Sequence, residues 1–261
     1  MELRASVEMR SDRGPVREKN EDSVGFLAAA DARPGIDGVY AVADGLGGHE
    51  RGEVASAMAI ASLLRAYGAE GRDGPNEMGL AETLRGIDQE IADAGVSGEA
   101  LHRDPMAAGM ATTLTAAVLV GDTLHLGHVG DSRAYLMRDG RLIQLTEDHS
   151  LVADRVRQGL LTAEQAASHP QRNVLTQALG EGLPIAPFTA AQSVAPGDTL
   201  LLCTDGLHGF LDDQAIADTI LGSRPGSAAD ALIARAIGAG SNDNVTVLLV
   251  YFALRERTTG R

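Results

Sequence analysis

The chain has 261 residues, 44% hydrophobic and 22% charged, with a formal net charge of −14. That composition excludes a mostly disordered chain, a collagen or a coiled coil, and the length suits one large domain or two small ones. An acidic surface repels DNA and anionic membranes, so neither is an expected partner.

Residues 1–10 alternate polar and apolar and lack the apolar stretch of a secretory signal. No window approaches the ~20 apolar residues of a membrane span, so a soluble, cytoplasmic protein is expected. Next comes a charged run, Arg17-Glu18-Lys19-Asn20-Glu21-Asp22, which contains the single lysine. It reads either as a solvated loop or as a phosphate-gripping arginine beside acids that orient metal-bound water. Spacing alone does not choose between them.

Residues 39–43 predict a short strand ending at Asp44-Gly45. Val54, Ala57, Met58, Ala61 and Leu64 have helical spacing and predict a helix over 53–67. A Gly-rich charged loop follows over 68–76, then a second helix carrying Leu80, Leu84, Ile87 and Ile91. Strands are predicted over 112–120 and 123–129, turned by Gly121-Asp122. Asp139-Gly140 is a strong hairpin signal between strands over 133–137 and 141–145. A helix over 149–158 should stop at Gly159, and Thr162 with Gln165 fits a capping box. Pro196-Gly197-Asp198 turns the chain into a strand over 199–203. A helix over 227–237 and a strand over 245–252 close the series.

Consecutive hairpins favour antiparallel sheets with helices packed outside. The expected fold is α+β, a central antiparallel β-sandwich flanked by α-helices on both sides, formed by a single domain over 1–261. A doubly wound parallel sheet is the alternative, and the hairpins argue against it. Cys203 is the sole cysteine and sits in an apolar strand, so a disulfide framework or thiolate zinc cluster is excluded.

Four acids fall at predicted strand ends among small residues: Asp44, Asp131, Asp205 and Asp243. Glycine lets the backbone turn and leaves such a carboxylate uncovered. If these ends converge, the carboxylates share one space and need a cation. Oxygen-only ligands point to Mg²⁺ or Mn²⁺. Asp139-Gly140, by contrast, reads as a plain turn.

Six segments, in order, carry a family resemblance: 17–22; Val42-Ala43-Asp44-Gly45-Leu46-Gly47-Gly48-His49; Gly109-Met110-Ala111-Thr112-Thr113-Leu114; His128-Val129-Gly130-Asp131-Ser132-Arg133; Cys203-Thr204-Asp205-Gly206; and Gly240-Ser241-Asn242-Asp243-Asn244-Val245-Thr246. Together they resemble the metal-dependent serine/threonine protein phosphatases, the PPM or type 2C family, in its bacterial form. The stretch 146–180, with His169-Pro170-Gln171-Arg172-Asn173-Val174-Leu175, looks like the family's flap.

The resemblance implies a four-layer αββα fold and a phosphoric monoester hydrolase acting on phosphoserine and phosphothreonine. It implies two Mn²⁺ or Mg²⁺ ions and a third, weakly bound one. Asp44 would bridge two ions, with the Gly45 carbonyl on one and Asp205 and Asp243 on the other; Asp131, with Asp205, matches the third site. Arg17 would hold the substrate phosphate. Glu21, Asp22 and Asn244 would act through metal-bound water. A metal-bridged hydroxide would attack phosphorus without a covalent intermediate. Phosphorylated proteins and a bacterial Ser/Thr kinase that the enzyme opposes are the implied partners, and the chain is expected to be a monomer.

Leu46 stands where many eukaryotic members carry a histidine proposed as general acid, and His49 follows three residues later. Ala111 replaces a frequent Gly, and Gln177 a frequent Arg. His128 reads as a satisfied core histidine, while His102, His125, His169 and His208 have no nameable partner. Met106 and Met110 read as packing. A non-enzymatic phosphoprotein-binding or scaffold module and a phosphatase devoted to one small phosphorylated regulator or metabolite are the competing readings.

Overall fold

The computed structural model describes residues 3–46, 51–69, 79–96, 110–224 and 226–254. Gly47, Gly48, His49, most of the 68–76 loop, His102, Met106 and Gly109 lie outside them.

In chain order the elements are β1 (Leu3–Asp12), β2 (Asp22–Ala28), β3 (Gly38–Asp44), α1 (Gly52–Tyr67), α2 (Leu80–Val96), β4 (Leu114–Val120), β5 (Thr123–Val129), β6 (Arg133–Arg138) and β7 (Arg141–Gln144). There follow α3 (Leu151–Arg157), α4 (Ala163–Ala167), β8 (Phe188–Ser193), β9 (Thr199–Cys203), α5 (Asp205–His208), α6 (Asp213–Gly222), α7 (Ala228–Gly238) and β10 (Val245–Leu254). The strands form two five-stranded sheets, ordered β1-β10-β9-β6-β7 and β2-β3-β4-β5-β8, with antiparallel pairing throughout.

Three apolar clusters hold four layers together. Tyr40, Leu124, Leu126, Leu136, Leu200 and Leu248 fill the space between the sheets. Val39, Ala41 and Leu114 pack outward against Leu63, Leu84 and Ile91 of α1 and α2. Leu201, Val247 and Leu249 pack against Ile216, Ile220 and Leu232 of α6 and α7. Each buried Val, Leu or Ile among them contributes about 1.5–3 kcal/mol by leaving water. Strands β3, β4 and β9 are buried on both faces, which explains their nearly continuous apolar runs.

The β6–β7 hairpin turns at Asp139 and Gly140, with φ of 51° and 74°, the conformation a tight two-residue hairpin needs. Thr162 and Gln165 close their reciprocal capping box at α4. The β4 ladder begins at Leu114 rather than at residue 112, because Thr112 bridges both Gly45 and Leu179. Helix α3 begins after Ser150, whose hydroxyl accepts from the Ala153 N–H as its N-cap. Cys203 is buried. No helix among the described residues is long and apolar enough to cross a membrane.

Candidate active site

The sandwich has one end where the termini of both sheets meet. Asp44 closes β3, and Asp22 opens β2 directly opposite it in the ladder. From the other sheet, Asp205 follows β9 and Asp243 precedes β10. Asp131 lies on the crossover between β5 of one sheet and β6 of the other. A cleft of about 310 Å³ is lined by Asp44, Gly45, Asp131, Asp205 and Asp243, with Arg17, Glu21, Leu46, Asn173, Leu175, Glu181 and Asn244.

Local chemistry fixes each position. The Asp44 N–H donates to Thr113 Oγ1 at 2.9 Å, and its carbonyl accepts from Thr112 Oγ1 at 2.8 Å and from the Thr113 N–H at 2.8 Å. The Gly45 N–H donates to the Glu21 carbonyl at 3.1 Å, which also accepts from Ser56 Oγ at 2.6 Å. A Cβ on Gly45 would drive into the carbonyls of Gly52 and Glu21. A Cβ on Gly206 would drive into the Asn244 carbonyl, so the Asp205-Gly206 turn lies flat on the start of β10.

Asn244 is a clamp. Its Nδ2 donates to the carbonyls of Arg13 and Lys19, each at 2.9 Å, and its Oδ1 accepts from the Glu21 N–H at 2.8 Å. Both amide hydrogens therefore go to backbone, which differs from the expected water-mediated role. The clamp ties the loop that carries Arg17 to the turn before β10 that carries Asp243. Arg17 Nη2 donates to Asp243 Oδ2 at 2.6 Å, and that hydrogen bond holds Arg17 above its ordinary pKa.

Burial first, and then the neighbouring Asp22, Asp205 and Asp131, push Asp44 well above the usual carboxylate range. Asp205 is pushed up to about 6 by burial and then by Asp243. Burial and then Asp205 raise Asp131. Asp22 is pushed up to about 7, mainly by burial, although Thr204 Oγ1 donates to its Oδ2 at 2.9 Å. Burial and then Glu53 raise Glu21. Asp22 Oδ1 and Asp205 Oδ1 are buried without a hydrogen-bond partner among the described residues.

No three His, Cys, Asp or Glu residues among the described ones form a ready chelate. The fit to divalent ions rests on the donor chemistry instead. Crowded carboxylates with raised pKa values and orphaned oxygens favour a hard cation.

Sequence reasoning missed Glu181 as a site residue and placed Asn173 and Leu175 only in the flap. They arrive from a segment remote in the chain with no local motif. Arg133 anchors the flap's base: its Nε and Nη2 fork onto Asp148, the latter at 2.7 Å from Oδ2. The His149 N–H donates to the Gly130 carbonyl at 2.7 Å.

The histidines need correction. Thr115 Oγ1 donates to the Ser132 carbonyl at 2.9 Å, so its 2.8 Å contact with His128 is a bond from Nδ1–H. His128 Nε2 is buried without a partner among the described residues, so within them the residue is only half satisfied; burial holds its pKa down to about 3. His208 Nε2 pairs with the Asp131 carbonyl at 3.0 Å, and His169 Nε2 lies 3.2 Å from Arg155 Nη1. His125 is exposed. Met110 is buried against α2, as expected of packing.

A profile of the family described as "Protein phosphatase 2C" matches residues 17–232. The chain is 40% identical over 242 residues to the serine/threonine protein phosphatase PstP of Mycobacterium tuberculosis, covering 92% of this chain and 43% of that one. It thus spans less than half the length of that relative. Against the serine/threonine phosphatase stp of Listeria monocytogenes it is 38% identical over 94% of both chains. A crystal structure of the PstP catalytic domain in complex with 2 manganese ions superposes with a TM-score of 0.77 at 35% identity, covering 97% of this chain and all of that one.

Proposed function

The chain belongs to the protein phosphatase 2C family, and from that premise we propose that it is a metal-dependent serine/threonine protein phosphatase hydrolysing phosphoserine and phosphothreonine monoesters. The observation that carries the reading is the convergence of Asp44, Asp131, Asp205 and Asp243 with Arg17 in one cleft.

Asp44, the Gly45 carbonyl, Asp205 and Asp243 would hold two divalent ions, Mn²⁺ or Mg²⁺, and Asp131 with Asp205 a weaker third. When bound, the ions supply Lewis acidity, lowering the pKa of water and neutralising phosphoryl oxygens. Glu21, in the cleft lining, and Asp22, buried opposite Asp44 in the ladder, would act on that cluster through metal-bound water. Arg17 presents a planar fork to the phosphate from the rim, positioned by the Asn244 clamp. Leu46 and Leu175 form apolar wall beside the phosphoryl site. Burial raises the Cys203 thiol and its strand holds it in the core, which supports hydrolysis without a cysteinyl-phosphate.

By its chemistry the enzyme would oppose a Ser/Thr protein kinase in the cytoplasm, acting as a monomer and a single domain.

Purified chain is expected to hydrolyse a phosphoserine peptide and an aryl phosphate with added Mn²⁺ and to lose at least about 100-fold of that rate in excess chelator, as removal of several kcal/mol of charge stabilisation requires. Rates unchanged in chelator would overturn the reading, as would absence of Mn²⁺ binding by calorimetry at millimolar concentration. Arg17→Ala is expected to raise KM about tenfold with a smaller change in kcat, the loss of a charge-assisted contact. Steady-state kinetics check this, and an unaltered KM would remove Arg17 from phosphate binding.

A further inference from the structure

Glu181 is the feature of the cleft that hydrolysis itself leaves without a task. The other acids of its lining come from the strand ends or from the charged run before β2. They interact with one another or with Arg17. Glu181 comes from the segment just past the flap, is exposed, and has no hydrogen-bond or ion-pair partner among the described residues.

Its backbone is fixed. Leu179 and Thr112 exchange N–H to carbonyl bonds of 2.9 and 3.1 Å, and the Gly180 N–H donates to Asp88 Oδ1 of α2 at 2.8 Å. On the far side, Gln177 Oε1 accepts from the Ala186 N–H at 2.6 Å and closes the loop 177–186 in which Glu181 sits. A carboxylate on a pinned loop, without a partner among the described residues and lining the proposed substrate cleft, is a ready partner for a cation on the substrate. The phosphate is provided for by Arg17 and the carboxylate cluster, so the cation has to lie on the peptide beside the phosphoresidue.

We propose that Glu181 is a specificity-determining residue that selects phosphopeptides with arginine or lysine flanking the phosphoserine or phosphothreonine and disfavours those with acidic flanks. The inference rests on the protein-phosphatase reading above. An exposed pair of opposite charges contributes modestly, so the preference attributable to this residue is about fivefold. The chain's net charge of −14 adds a general attraction for basic peptides, which the variants separate from the local effect.

The test uses the full chain with Mn²⁺ and two phosphoserine peptides identical except for arginine or glutamate on both flanks. Wild type should favour the arginine peptide in kcat/KM, through KM. Glu181→Gln should cut that ratio about fivefold, Glu181→Asp should retain most of it, and Glu181→Arg should lower it further. A ratio that Glu181→Gln leaves unchanged, or a wild type with no preference, overturns the proposal. Turnover of an aryl phosphate with neither peptide hydrolysed removes the protein-phosphatase reading, and this inference with it.

Discussion

Asp44→Asn is expected to lower kcat for phosphopeptide hydrolysis by about 10³-fold or more, which is about 4 kcal/mol of lost transition-state stabilisation. Asp44 is the residue on which the neighbouring charges converge: Asp22, Asp205, Asp131 and Asp243 all act on it. The amide is isosteric, and the backbone bonds from Asp44 to Thr112 and Thr113 do not involve the side chain that changes. Misfolding is therefore not the expected cause of the loss. In chelator the same variant should be more stable than wild type. The folded carboxyl binds its proton more tightly than the unfolded one, so stability contributed at low pH is lost as pH rises through the raised folded value. Asparagine has no charge to bury. A gain of about 1 kcal/mol would raise the unfolding midpoint by about 2–4 °C near neutral pH and fade as pH falls toward about 4. Steady-state kinetics and thermal unfolding in chelator check the pair of effects. Wild-type turnover, or a lower midpoint in chelator, would contradict the role assigned to this carboxylate.

Gly206→Ala is expected to destabilise the fold by about 4 kcal/mol or more, at the upper end of what overpacking costs. The added methyl meets the Asn244 carbonyl, which is backbone and has no rotamer with which to move aside. Retreat is blocked on other sides too. Ser241 Oγ donates to the Gly206 carbonyl at 3.0 Å, and the Thr204 N–H donates to the Thr246 carbonyl at 3.1 Å. The unfolding midpoint should fall by about 8–16 °C. Gly222→Ala at the end of α6 is the control, because a Cβ there meets nothing within 4 Å. A Gly206→Ala midpoint within two degrees or so of wild type would show that β9 and β10 can part at this point without loss.

The contrast between these two residues bears on how much the sequence could reveal. Asp44 and Gly206 both stood in recognisable Asp-Gly pairs, and the strands before them were legible as apolar runs because both faces are buried. The hairpin at Asp139-Gly140 and the cap at Thr162 were legible because their chemistry is local. Strand β1 carried a usable signal, the polar/apolar alternation over 3–10, but much of it is exposed and the run has no long apolar stretch to mark it as core. Strand β2 was hidden behind the charged run, because the burial of Asp22 depends on Asp44 and Thr204 arriving from elsewhere. Strand β8 is short, half exposed and rich in small residues. Helix α6 had a usable signal that was overlooked: Asp212 caps it by accepting from the Ala215 N–H at 2.7 Å, and Ile216 and Ile220 share its buried face. Glu181 and the Asn244 clamp were illegible for a different reason. Their roles are made by loops that meet only after both sheets have packed.

The strand order has a consequence for the timing of synthesis. Among the described residues strand β1 has its one ladder partner in β10, and β10 must slot between β1 and β9. At about 5–20 residues per second, a ribosome needs roughly 12–50 s to pass from one to the other. Throughout that interval β1 has no strand joining it to β9, and Asp243 has not been brought beside Arg17. A polypeptide cut short before β10 would thus lack Asp243 in the cleft, and the joining of β1 to β10 would act as a late safety catch on the proposed activity.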